Sequence, residues 1–338
     1  MTKMYKLMFF SMLIISTLIS ISAYTWLGMW IGLEMNLLSI IPLIKSKNIL
    51  SSESSIKYFI TQAIASTIIM MSMIMMMWKF NFSSIINMNS NLLMIMNSGL
   101  ILKMGMAPLH FWFPEVLEGL NWNNCLIMLT WQKITPMVLI MFNIEFSIFY
   151  SMIIISAMII SSIMSINQIS IRKLMAFSSI NHMGWMMSSM MTEKTIWILY
   201  FIIYSIITIN ISMMMKNIFF LNQLFPIINI SPPMKMFFML NFLSLSGIPP
   251  FLGFLPKWMV IQTMIENNMY LLTITMIMFT LIMIFVYIRI ILTTLVMKTN
   301  HLNWNLKLNL KINKMSISML NFLSITSLIL MTIMFNMI

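Results

Sequence analysis

Apolar runs long enough to be membrane spans, separated by short polar stretches, set the pattern of this chain. A helix needs about 20 apolar residues to cross a hydrocarbon core. Runs of that kind fall at roughly 7–23, 25–44, 56–78, 92–113, 124–143, 146–167, 173–191, 195–216, 235–265, 269–295 and 316–337. The fourth and ninth are interrupted by Pro and Gly, and the other nine read as ordinary spans. Connections are short and apolar density is even. The pattern therefore predicts an all-α integral membrane protein of about eleven transmembrane helices, forming a single polytopic domain over residues 1–338.

Composition agrees. Only 8% of the 338 residues are charged and 60% are hydrophobic, whereas soluble domains carry about 25% charge. The basic residues give the orientation. With the N-terminus on one side and alternation thereafter, that side collects Lys3, Lys6, Lys45, Lys47, Lys57, Arg172, Lys173, Lys216, Lys235, Lys298, Lys307, Lys311 and Lys314, while the other receives Lys79 and Lys194. Such a bias marks the inner surface, so the N-terminus is expected inside and the C-terminus outside. The net charge of +12 then records topology, and nucleic acid is not an expected partner.

The chain contains one cysteine, Cys125, three scattered histidines (His110, His182, His301) and no aspartate. That set leaves nothing for an iron–sulfur cluster and little for haem or zinc. No Gly-rich phosphate loop is present. No redox centre, metal or nucleotide is therefore expected in this chain. Methionine is abundant at 47 residues, while alanine, glycine and arginine are scarce. This is the mark of an AT-rich genome whose code reads ATA as Met, and it points to mitochondrial encoding and the lack of a cleavable presequence.

Charge within the spans carries the candidate chemistry, because an ionised side chain at mid-bilayer is costly and marks a functional site by default. Glu34 lies midway along the second run, Lys103 and Lys133 are central in the fourth and fifth, and Lys257 falls in the interrupted ninth. Arg289 sits nearer the outer half of the tenth, where structural and functional readings are equally open. Lys57 and Lys216 fit lysines that snorkel to the headgroups. Glu145, Glu193 and Glu266 fall at outer turns, and Glu115 and Glu118 are expected in a loop at the inner surface. One intramembrane acid cannot neutralise three lysines, so the others must be neutral or hydrated. Lysines that exchange protons in a row across a bilayer form a relay. A static ion pair is the competing reading. His182, within FSSINHMGWM, suits proton transfer; His110 beside a helix break is a weaker candidate, and His301 is a loop residue.

Residues 105–114, GMAPLHFWFP, and 247–256, GIPPFLGFLP, share the spacing Gly-x-x-Pro-x-x-x-x-x-Pro. Pro108 and Pro250 would each remove a helical hydrogen bond, while Gly105 and Gly247 give the backbone room; Pro249 adds a second proline to the later break. Two discontinuous helices are expected, with carbonyls freed at membrane depth. They lie five spans apart and so run in opposite directions, the sign of an inverted repeat, here roughly 7–143 and 146–295 with a C-terminal helix at 316–337. Lys103 precedes the first break and Lys257 directly follows the second.

These segments resemble a known family. WLGMWIGLEMNLLSIIPL (26–43), SSESSIKYFITQ (51–62), LKMGMAPLHFWFPEVLEGLNW (102–122), LTWQKITP (129–136), NQISIRKLMAFSSINHMGWM (167–186) and NFLSLSGIPPFLGFLPKW (241–258) are similar, in order, to the mitochondrial NADH dehydrogenase subunit 2 family. These are antiporter-like membrane subunits of respiratory complex I, and the Met/Ile/Asn bias suggests an insect or other arthropod member. The resemblance implies a proton-pumping role in the mitochondrial inner membrane, with the N-terminus in the matrix and the C-terminus in the intermembrane space. It implies that Glu34 pairs with Lys103 on the first broken helix, that Lys133 is the central-axis lysine, and that Lys257 stands on the second broken helix near the exit. Eleven helices suggest the shortened form lacking the first three. Ser246 departs from the pattern, where a second glycine is common, and 51–55 is serine-rich. The implied partners are other membrane subunits of the complex, neighbouring antiporter-like subunits among them, and inner-membrane lipids. NADH, FMN, Fe–S clusters and ubiquinone are expected in other subunits. A stand-alone cation/proton antiporter and a lipid-facing scaffold with static lysine pairs are the rival readings.

Overall fold

The computed structural model of the chain describes residues 2–46, 48–79, 90–144, 147–216, 218–223 and 232–296. The expected C-terminal helix 316–337, His301, Glu145, Lys47 and the lysines from 298 onward lie outside the described residues. Among the described residues every element is helical, apart from one antiparallel bridge between Ser170 and Phe220. The helices are α1 (Thr2–Ser22), α2 (Trp26–Ile44), α3 (Ile49–Lys79), α4 (Ser90–Met104), α5 (Trp112–Gly119), α6 (Trp122–Leu129) and α7 (Trp131–Met141), then α8 (Ser147–Ile166), α9 (Ile171–Thr192), α10 (Lys194–Met214), α11 (Pro232–Ser246), α12 (Phe254–Glu266) and α13 (Tyr270–Val296).

Seven helical stretches among the described residues are long and apolar enough to cross a membrane: α1, α2, α3, α6 with α7, α8, α10 and α13. Helices α4 and α11 are shorter apolar helices. The run at 173–191 forms α9, which is long enough but less apolar, and the reason is its surroundings. Most residues from Leu174 to Met190 are buried against neighbours, so α9 is not selected for a lipid-facing stripe. Its serines are satisfied locally: Ser178 and Ser179 donate to the carbonyls of Met175 (2.8 Å) and Ala176 (2.7 Å).

Contacts divide the chain into two compact units, Met1–Ala157 and Met158–Ile338, with the boundary inside α8. In the first, α1 lies along α2, α3 packs on α2, α4 and α5, and α7 packs on α4, α6 and α1. In the second, α9 packs against α10, α12 and α13, and α11 against α10 and α13. Caps fix the ends of α2. Thr25 Oγ1 accepts the Gly28 amide at 3.2 Å, and Asn124 Nδ2 donates to the Leu43 carbonyl at 3.0 Å, filling terminal groups that a helix leaves unpaired.

The two Gly–Pro segments close their helices in the same way. After α4, Gly105 takes φ +70°, its amide donates to Leu102 O (3.1 Å), and the Met106 amide donates to Ile101 O (3.2 Å). After α11, Gly247 takes φ +77°, its amide donates to Ser244 O (3.1 Å), and the Ile248 amide donates to Leu243 O (3.5 Å). Both are Schellman closures, which need a left-handed residue after the last helical turn. Pro108 and Pro250 lie in the turns that follow, so neither breaks a helix from inside as the sequence suggested; the glycines end the helices. Pro114 and Pro256 occupy the first turns of α5 and α12, where a missing amide costs no helical bond.

The run at 124–143 also differs from an ordinary span. Helices α6 and α7 meet at Thr130, at φ −114° and ψ −72°. The Thr130 hydroxyl donates to Leu126 O at 2.8 Å. Pro136, inside α7, supplies no amide for the Gln132 carbonyl one turn earlier. The irregularity thus brackets Lys133.

Candidate functional site

In the first unit α2 and α4 bring Glu34 and Lys103 together, with Nζ 3.6 Å from Oε1. Lys103 is in the last turn of α4, whose carbonyls lack helical donors. Side chains supply them. Gln62 Nε2 on α3 donates to Lys103 O at 3.1 Å, and Trp112 Nε1 on α5 donates to Leu102 O at 3.1 Å. An alanine Cβ at Gly105 would lie 2.8 Å from Phe113 Cβ, so the close return of α5 onto α4 requires glycine there.

A network of neutral amides stands beside the pair. Gln132 Nε2 donates to Asn36 Oδ1 at 2.8 Å, and Tyr58 Oη donates to Gln132 Oε1 at 3.3 Å. Asn36, Tyr58, Gln62, Lys103, Gln132 and Thr135 line a small polar cavity of about 10 Å³, the least that holds one water. Lys133 follows Gln132 on α7 and is buried, with Nζ 5.0 Å from the centroid of the Phe113 ring.

In the second unit Lys257 starts on α12 and turns back to the end of α11. Its Nζ donates to the Ser246 carbonyl at 2.8 Å and lies 6.0 Å from the centre of the Trp185 ring on α9. His182 is three residues before Trp185 on α9, and its Nδ1 is 2.9 Å from Tyr200 Oη on α10. The Tyr204 ring lies alongside, 5.2 Å between centroids.

The other charged candidates are placed as follows. Arg289 Nη2 donates to the Ile166 carbonyl at 2.7 Å, capping the last turn of α8. Lys57 does more than reach toward headgroups: it bridges Glu53 (3.0 Å) and Glu115 (2.8 Å). Glu115 and Glu118 belong to helix α5 and not to a loop, and Glu115 in its first turn meets the positive end of the helix dipole. His110 is buried, its Nδ1 3.3 Å from Pro108 O and its ring stacked on Phe111.

Sequence reasoning passed over Asn36, Tyr58, Gln62, Gln132, Thr135 and Tyr200. Each is a neutral polar residue within an apolar run, and Gln132 and Asn36 lie one and two positions from residues singled out for charge. That adjacency was the available signal.

A family model described as NADH:quinone oxidoreductase/Mrp antiporter, transmembrane, matches residues 23–284. Proteins named NADH-ubiquinone oxidoreductase chain 2 from Anopheles gambiae and Aedes aegypti are 46% and 47% identical, over 99% of this chain and 99% of theirs. A chain of respiratory complex I from Thermus thermophilus shares the fold with a TM-score of 0.82 at 18% identity, covering 96% of this chain and 78% of that one. The chain belongs to the NADH:quinone oxidoreductase/Mrp antiporter family, among the NADH-ubiquinone oxidoreductase chain 2 proteins.

Proposed function

We propose that this chain is a core membrane-arm subunit of mitochondrial complex I in the inner membrane, where it couples NADH-to-ubiquinone electron transfer to proton translocation. Electron transfer, with its flavin, iron–sulfur and quinone chemistry, belongs to partner subunits, and this chain supplies a path for protons. The path runs through Glu34, Lys103, Lys133 and Lys257, with His182 as a further member. Helices α4 with α5 and α11 with α12 are the two discontinuous spans of an inverted repeat in an eleven-helix topology, with the N-terminus in the matrix and the C-terminus in the intermembrane space.

The observation that carries this reading is the approach of Lys103 to Glu34, 3.6 Å apart among apolar helices. A charge arriving near Glu34 from a neighbouring subunit changes how the carboxylate holds Lys103, and Lys103 then passes its proton to Lys133. The Gln132–Asn36–Tyr58 network and the small cavity beside Lys103 supply polar groups for the handover. Protons enter from the matrix side and leave toward the intermembrane space. Moving one against 100 mV costs about 2.3 kcal/mol, which the partner chemistry must provide.

Lys133→Met keeps the bulk and removes the titrating group. In assembled complex in sealed vesicles, the proton-to-electron ratio is expected to fall. An unchanged ratio would mean that protons do not pass through Lys133.

A further inference from the structure

We infer that Tyr200 is a positioning residue for His182, holding the imidazole in one orientation while it gains and loses a proton; this rests on the relay reading above. The contact is 2.9 Å between Tyr200 Oη and His182 Nδ1, and both residues are buried. A neutral imidazole has one donor and one acceptor nitrogen, and an imidazolium has two donors. A phenolic hydroxyl donates or accepts from the same place. Tyr200 therefore donates to a bare Nδ1 and accepts from a protonated one by rotating only its hydroxyl hydrogen. Nε2 remains the nitrogen through which protons are exchanged. A phenylalanine would fill the same space and leave the buried Nδ1 without its partner in either state.

The surroundings hold this geometry. Tyr204 is four residues from Tyr200 and so on the same face of α10, and its ring flanks the imidazole at 5.2 Å. The His182 and Tyr200 rings meet edge to face, 6.0 Å between centroids. Tyr287 on α13, also buried, packs its ring against Phe242. Among the described residues, the titratable groups facing this part of α9 from the helices packed on it are Tyr200 and Tyr204 of α10, Lys257 of α12 and Tyr287 of α13, whose hydroxyl meets Ser178.

The test uses assembled complex in sealed vesicles. Tyr200→Phe is expected to assemble fully and to slow coupled turnover about tenfold, the equivalent of one charge-assisted hydrogen bond. The double variant with His182→Gln should be no slower than His182→Gln alone. Infrared spectra with labelled histidine, with the His182→Gln spectrum subtracted, should show a ring band that shifts in Tyr200→Phe. In the unmutated complex that band should change together with a labelled-tyrosine C–O band during turnover, a measurement that needs no stable Tyr200 variant. Unchanged turnover in Tyr200→Phe, additive losses in the double variant, or a histidine band that moves without tyrosine would each overturn the inference. Lys133→Met run alongside separates the two ideas. If it preserves the ratio, the relay reading has failed; if it lowers the ratio while Tyr200→Phe is silent, the positioning role alone has failed.

Discussion

Gly247 lies beneath the side chain of Lys257. A Cβ on Gly247 would stand 2.9 Å from Lys257 Cδ and 3.1 Å from Cε. The lysine reaches the Ser246 carbonyl through the space that any side chain at 247 would occupy.

Gly247→Ala is therefore expected to act in two ways. A left-handed alanine costs about 1–2 kcal/mol, and the methyl pushes Lys257 from its carbonyl. The nearest obstructing atom is a flexible lysine methylene, with the Gly253 carbonyl oxygen at 3.1 Å beside it, so much of the complex should still assemble while its proton-to-electron ratio falls. Gly105→Ala meets Phe113 Cβ at 2.8 Å instead, an atom tied to the α5 backbone. It should reduce the amount of assembled complex on a native gel more than Gly247→Ala does.

Glu34→Gln preserves shape and removes the charge facing Lys103. If the pair is part of a relay, assembly stays intact and pumping drops severalfold. If the pair only holds α2 to α4, assembly drops and the surviving complex pumps at the normal ratio. Both quantities come from one preparation, by native gel and by vesicle acidification.

The amide network gives a stability prediction. Asn36→Leu and Gln132→Leu each strand a buried amide, at about 1–3 kcal/mol. The double variant should lose less than the sum of the singles, since the Asn36–Gln132 contact is lost only once and Tyr58 alone is left without its acceptor. Heat inactivation of the four preparations measures the coupling, and strict additivity would mean that the 2.8 Å contact contributes nothing.

Arg289→Met removes the cap on α8. The expected loss is about 1.5–3 kcal/mol, that of a hydrogen bond to a charged group, seen as faster heat inactivation with an unchanged proton-to-electron ratio. A lower ratio would move Arg289 from structure to function.

What the sequence disclosed follows from what lipid penalises. Glu34, Lys103, Lys133 and Lys257 stood out because charge is scarce in apolar runs, and the two Gly–Pro segments because their spacing is regular. Neutral amides cost less to bury, so Gln132 and Asn36 passed unnoticed although they join α7 to α2. Helix α5 was hidden because its eight residues, Trp112–Gly119, begin within an apolar run and continue into what read as a loop. The turn at Thr130 carries no glycine. Helix α9 read as one more span because its length suits one, although its enclosure by other helices lets it carry more serines than a lipid-facing span.

Both Schellman closures are made by main-chain atoms, an amide from the glycine and one from the residue after it. The bonds that end each helix therefore call for the glycine and for no particular side chain. Side chains then fill what the closures leave open: Gln62 caps the Lys103 carbonyl and Lys257 caps the Ser246 carbonyl. At the second helix end the charge is anchored on a carbonyl that the turn exposes, so a change that shifted the turn would carry Lys257 with it.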